Sequence, residues 1–248
     1  MITDCHVHIG KATWPHLDID AKALLAEADR VGIERMMITD LTALTYDMEE
    51  GNEWIRTQIA VAPDRLLGYF TITSPRYRDQ AVEDLERYVT DYGFRGLKIY
   101  SVPPLMLIDD PYMIPILEKA AELRIPVLAH STGEECLSLC RQVPELIILN
   151  AHMGCCPQAH GDWHRSIAMA KQCPNIYLDT TSSSFDNGMI EHAVEELGAE
   201  RIVYGSDVPL LDPRLQIAKV MESDLTDAEK RLILQGNIER LLALRDAA

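Results

Sequence analysis

A chain of 248 residues that is 47% hydrophobic, with no apolar run near the ~18–20 residues of a membrane span, can bury one sizeable core and does not read as a bilayer protein. Its formal charge of −16 repels nucleic acid and anionic lipid, so the expected partner is a small-molecule substrate, with no nucleic acid, no membrane and room for a homo-oligomer. The opening Met1-Ile2-Thr3-Asp4 lacks the basic-then-apolar pattern of a secretory signal, which predicts a cytoplasmic protein whose six cysteines are free thiols.

Apolar β-type runs recur along the chain at Thr3–Val7, Arg35–Thr39, Leu66–Ile72, Gly96–Tyr100, Pro126–Ala129, Leu146–Asn150, Ile176–Asp179 and Ile202–Gly205. Helical spacing separates them, as in Ala21, Leu24, Ala28 and Val31, and again in Met113, Ile116, Leu117 and Ala120. A repeat of roughly 31 residues is the length of a strand with its crossover helix, and such strands are parallel and covered on both faces. The pattern predicts an α/β fold, a TIM (β/α)8 barrel, as a single domain over residues 1–248. Thr226 and Glu229 form a capping-box pattern ahead of Leu232, Ile233, Ile238, Leu241 and Leu242, so an extra C-terminal helix is expected, packed outside the barrel. A doubly wound open sheet would carry a glycine-rich phosphate turn after an early strand, and Gly10-Lys11-Ala12-Thr13 is not one.

Barrel enzymes place their chemistry at the C-terminal ends of the strands. Here the first strand carries His6 and His8, which share one side because strand side chains alternate; the fourth carries Lys98, the fifth ends at His130, the sixth runs into His152 and the eighth into Asp207. A lone strand-end histidine is commonly a capped or solvated side chain, but nitrogen and oxygen donors from several strand ends of one closed barrel converge on its mouth. Three histidines and a carboxylate make a set that zinc or a similar ion accepts.

The motifs His6-Val7-His8-Ile9-Gly10, Gly93-Phe94-Arg95-Gly96-Leu97-Lys98, Ala129-His130, Ala151-His152-Met153-Gly154, Gly205-Ser206-Asp207-Val208-Pro209 and Asn237-Ile238-Glu239-Arg240-Leu241 resemble, in order, those of the amidohydrolase superfamily. The branch most similar groups metal-dependent barrel hydrolases with decarboxylases such as aminocarboxymuconate-semialdehyde decarboxylase. The resemblance implies that His6, His8, His130 and Asp207 are ligands of one divalent metal ion, expected to be Zn2+, and that His152 is a catalytic histidine beside it. It also implies that Lys98 is unmodified and does not bridge a second ion. After Lys98 the chain departs from the pattern, reading Tyr100-Ser101-Val102-Pro103 where many relatives have a histidine and a proline.

A divalent ion with protein ligands and an open position lowers the pKa of its water toward ~7. On this reading Asp207 takes the proton and delivers it to the leaving group, and His152 steadies the developing oxyanion. The expected activity is hydrolysis of a small carbonyl, ester or amide substrate, with non-oxidative decarboxylation of a small carboxylated substrate as the alternative use of the same site. Trp14, His16, Arg76, Tyr77, Tyr100, His160, Trp163 and His164 follow strand ends and are candidate lining residues, Arg76 being the expected carboxylate anchor. Cys136 with Cys140 reads as helix packing, Cys155 with Cys156 as buried small residues, and His192 as a solvated helix-face residue.

Overall fold

The computed structural model describes residues 1–12, 17–73, 78–100, 107–155, 162–182 and 186–246. In chain order the elements are β1 (Thr3–Ala12), β2 (Leu17–Ile19), α1 (Ala21–Val31), β3 (Arg35–Asp40), α2 (Leu41–Thr45), α3 (Met48–Ile59), β4 (Leu66–Ile72), α4 (Arg78–Asp91) and β5 (Gly96–Tyr100). They continue with α5 (Ile114–Glu122), β6 (Pro126–His130), α6 (Gly133–Gln142), β7 (Ile147–Asn150), α7 (Trp163–Ala170), β8 (Ile176–Asp179), α8 (Met189–Leu197), β9 (Ile202–Val203), α9 (Pro213–Met221), α10 (Asp227–Arg231) and α11 (Asn237–Asp246). All eight expected runs are strands. The addition is β2, which pairs antiparallel with the end of β1, Gly10 opposite Ile19.

The sheet order is β2-β1-β3-β4-β5-β6-β7-β8-β9, and every pair other than β1 with β2 is parallel. The sheet closes on itself: Val7 and Val208 form a parallel bridge, the amides of Cys5 and His8 donate to the carbonyls of Tyr204 and Val208 at 3.0 and 2.8 Å, and the Asp207 amide donates to His6 at 2.8 Å. This is the predicted barrel, one α/β unit. No helix among the described residues is long and apolar enough to cross a membrane.

Alternation along each strand sorts residues between two apolar layers. Met36, Ile38, Phe70, Leu97 and Ile99 point outward into the layer beneath the helices. Met37, Leu67, Tyr69, Leu128 and Leu149 point inward and form a separate cluster with Ile238, Leu241 and Leu242 of α11. This corrects the expectation for the C-terminal helix, which plugs the bottom of the barrel instead of covering its outside. Thr226 and Glu229 do form the capping box of α10, and a π-helical turn over Leu232–Gly236 carries the chain into α11. That turn leaves the Ile233 carbonyl to accept from the Tyr204 amide at 3.0 Å, and Asn237 Nδ2 donates to the carbonyls of Ala199 and Ile202 at 2.7 and 2.8 Å. At the strand starts, Thr3 donates to Glu239, Arg35 pairs with the same carboxylate, and Arg95 forks onto Asp246 at 2.7 and 2.8 Å. An amphipathic pattern specifies an apolar face but not the surface it meets.

A second correction concerns sulfur. Cys140, at the end of α6, and Cys173, after α7, form a disulfide with a Cα–Cα separation of 6.5 Å, so the expectation of free thiols fails for this pair. Cys5 and Cys136 are buried.

Two predictions follow from packing and capping. Leu241→Ala empties part of the plug at 1% exposure and should destabilise the protein by about 2–5 kcal/mol in urea unfolding; a change under ~1 kcal/mol would place α11 off the core. Asp40 caps α2 through a 2.8 Å bond from the Ala43 amide, and burial raises its carboxyl to about 6 against the hydrogen bonds from Ala43 and Thr42. An acid whose folded pKa is raised contributes stability below its unfolded pKa near 3.8 and loses it as pH rises through about 6. Asp40→Asn, still a cap, should therefore gain stability relative to wild type between pH 4 and 7, read from urea midpoints at both values. A difference independent of pH would remove the burial argument.

Candidate metal centre at the barrel mouth

β1 carries His6 and His8 at alternate inward positions in its middle, His6 within a break in register against β3 between Asp4 and Val7 and His8 just past it. Both are buried, and their Nε2 atoms lie 3.2 Å apart. Asp207 follows β9 with φ of 61°, a left-handed conformation uncommon for a residue with a side chain. The seam with β1 holds it there, with its Oδ1 3.0 Å from His8 Nε2 and 3.6 Å from His6 Nε2. Donor atoms of His6, His8 and Asp207 all fall within 4.8 Å of one another.

Asp179, ending β8, sets the tautomer. Its Oδ2 is 2.6 Å from His6 Nδ1, so that nitrogen donates and Nε2 presents a lone pair toward His8 and Asp207. Asp207 Oδ1 is buried against the two Nε2 atoms with no well-aligned hydrogen-bond donor. Two buried imidazole nitrogens and a carboxylate oxygen that converge this closely fit a divalent cation. Electrostatics agree. Burial pushes His6 well below its ordinary value, with the Lys98 charge acting in the same direction against Asp207; burial likewise lowers His8, His130 and His152. Neutral imidazole is the ligating form. Burial alone would raise Asp207, but the close contact with His8 and the neighbouring imidazoles of His6 and His152 outweigh it and hold the carboxyl well below the usual range.

The other predicted residues border this triad. His152 lies directly after β7 in the left-handed region at φ 58°, its ring 4.9 Å from His6 and also hydrogen-bonded to the Thr181 backbone. His130, ending β6, packs its ring 4.9 Å from His152 and 4.4 Å from Tyr100, and its donor atoms are not part of the close group of three. Lys98 is buried, with Nζ 3.2 Å from His6 Nε2, and burial lowers its amine to about 8 against the pull of Asp207 and Asp179. Trp163 donates to Asp186 at 2.7 Å and stacks on His164, and both meet the ring of the half-exposed His192 across α7 and α8. Trp14, His16, Arg76, Tyr77, Cys156 and His160 lie outside the described residues.

Three supports escaped the sequence reading. Asp179 obeys the same strand-end rule as the candidate ligands and could have been found by it. Asp4 Oδ1 accepts from the amides of His6 and Ser206 at 3.1 and 3.0 Å, tying β1 to the Asp207 segment, and burial raises its carboxyl to about 7. Gly205 is a close-approach site: a Cβ there would lie 2.4 Å from Asp179 Oδ1, 2.4 Å from Thr181 Oγ1 and 2.8 Å from His6 Cβ.

Comparison with known proteins agrees with this geometry. The amidohydrolase family profile matches residues 3–244, so the chain belongs to the amidohydrolase family. Among solved structures it is similar to a 2,6-dihydroxybenzoate decarboxylase bound to 2,6-dihydroxybenzoate, with a TM-score of 0.79, 20% identity and 98% coverage of each chain. It is also similar to a dihydroxybenzoic acid decarboxylase from a Polaromonas species with bound manganese and 2-nitroresorcinol, with a TM-score of 0.76, 19% identity and 98% of each chain. A third is 5-carboxyvanillate decarboxylase from Sphingomonas paucimobilis, with a TM-score of 0.74, 16% identity, 97% of this chain and 98% of that one. At these identities the likeness establishes the shared fold. No curated protein sequence matches.

Because Gly205 leaves room for the Asp179–His6 pair, Gly205→Ala should weaken divalent-metal binding by roughly 10- to 100-fold in a chelator competition titration. Unchanged affinity would mean that this pairing does not orient His6.

Proposed function

We propose that this protein is a metal-dependent, non-oxidative decarboxylase of a small carboxylated aromatic substrate. The observation that carries the reading is the buried ammonium of Lys98 against the His6, His8 and Asp207 group, which makes the mouth of an acidic protein locally suited to an anion. The decarboxylase activities of proteins with the same fold support it, and they favour it over the hydrolysis expected from sequence. His6, His8 and Asp207 would hold the ion, with His130 as a further donor, and an ion so held supplies a Lewis acid toward a substrate oxygen. The manganese of the Polaromonas relative supports Mn2+ over the Zn2+ expected from sequence.

Exchanging a carboxylate for hydrogen breaks one carbon–carbon bond, releases carbon dioxide and requires one proton at the carbon left behind. The neutral His152 can take that proton from solvent and pass it on, and the ionised Asp207, through the carboxylate oxygen not turned to the ion, is the second group able to accept one. Lys98 anchors the anionic end of the substrate. The ionised Asp207 is equally a base toward water, and this keeps hydrolysis as the second reading.

Mn2+-loaded protein incubated with hydroxybenzoates, lactones and amides should release carbon dioxide from an aromatic acid. Cleavage of an ester or amide without carbon dioxide would replace this reading with the hydrolase. For the active acid, Lys98→Met should raise KM roughly 10- to 100-fold with a smaller effect on kcat, since a charge-assisted contact to the anion is lost.

A further inference from the structure

Thr180, Thr181 and Ser182 continue beyond β8 at the barrel mouth, fully buried; the Thr180 amide still donates to the Val203 carbonyl of β9 at 3.0 Å, and after it the pairing with β9 ends. Buried carbonyls there need donors from elsewhere. α9 supplies them from one turn. Lys219 Nζ donates to the Thr180 carbonyl at 3.0 Å, the Ser182 carbonyl at 3.3 Å and Gln216 Oε1 at 3.1 Å. Gln216, 1% exposed, donates through Nε2 to the Ser182 carbonyl at 3.1 Å and accepts the Ser182 amide at 3.4 Å. The segment so held touches the metal centre twice. The Thr181 amide donates to Asp179 Oδ1 at 2.7 Å while the other oxygen of that carboxylate holds His6, and the Thr181 backbone also bonds the His152 ring.

We infer that Gln216 and Lys219 are positioning residues, a clamp on the 180–182 backbone that fixes the orientation of His6 through Asp179 and of His152 through Thr181. The inference rests on the metal-centre reading above. An apolar side chain would cover this face of α9 at less cost than an amine, which burial pulls down to about 8 although Asp179 draws it back up. What the amine adds is two directed hydrogen bonds on a backbone that an apolar residue could not hold in register, and a third that braces Gln216. The clamp's effect on metal affinity must therefore pass through Asp179, which holds His6, and this separates positioning from general packing.

The test is a double-substitution cycle read by Mn2+ affinity in chelator competition, with cooperative thermal unfolding as the check of folding. Lys219→Met should weaken Mn2+ binding roughly 10- to 100-fold, and Lys219→Arg, which keeps donors, should recover part of the loss. In an Asp179→Asn background the same Lys219→Met change should cost less than about twofold more, because both act on the one His6 contact. Equal losses in the two backgrounds, or no loss in either, would overturn the clamp while leaving the metal centre standing. If Lys219→Met does not fold, Gln216→Leu, which removes the Ser182 bonds from the other side chain, carries the same cycle and the same two outcomes. Wild-type protein that takes up no Mn2+ would overturn the metal-centre reading and the clamp with it.

Discussion

The structure depends on the seam where β1 meets the segment after β9. Two strand ends from opposite termini of the chain are locked by backbone bonds from Cys5, His8 and Asp207, with the Asp4 carboxylate spanning the amides of His6 and Ser206. Closing a loop nearly as long as the chain is entropically unfavourable, and the barrel recovers it through the neighbouring strand pairs and the apolar layers on both faces. The seam brings Asp207 to His6 and His8, and it stabilises the left-handed backbone that aims the Asp207 carboxylate. The ligand group is in this sense a product of barrel closure.

Polarity is graded along the barrel axis. At the bottom, Met37, Leu67 and Leu128 meet the apolar face of α11; at the top, the same inward positions become Lys98, His130, Asp179 and the β1 histidines. The plug keeps water from reaching the site from below, and the dry surroundings keep the imidazoles neutral. Charges admitted to this region are matched: Asp179 to His6, Asp207 to the two Nε2 atoms, Lys98 against the field of Asp207 and Asp179. The overall charge of −16 says little about so local a balance.

Period-two alternation and the strand-end rule make the barrel and most of the candidate centre legible in the sequence, since both depend on residues close along the chain. His6 with His8, Lys98, His152 and Asp207 were found in that way, and the structure gathers them at one mouth. What escaped depends on contacts between distant elements. The helical period of Ile238, Leu241 and Leu242 was visible, but whether it met the outside or the open end of the barrel was not. The Cys140–Cys173 bridge joins the end of one helix to the turn after the next, which no local spacing marks. Gln216 and Lys219 read as ordinary helix residues until the backbone they hold is seen beside them. Asp179 is different, because the rule that found Asp207 would have found it too.

The most direct test of the central claim is anomalous diffraction at the manganese edge from crystals grown with Mn2+. The account predicts a single peak ~2.0–2.2 Å from His6 Nε2, His8 Nε2 and an Asp207 oxygen, with the Asp179 contact to His6 Nδ1 intact. No peak within bonding distance of these three side chains, or a pair of peaks bridged through Lys98, would contradict it.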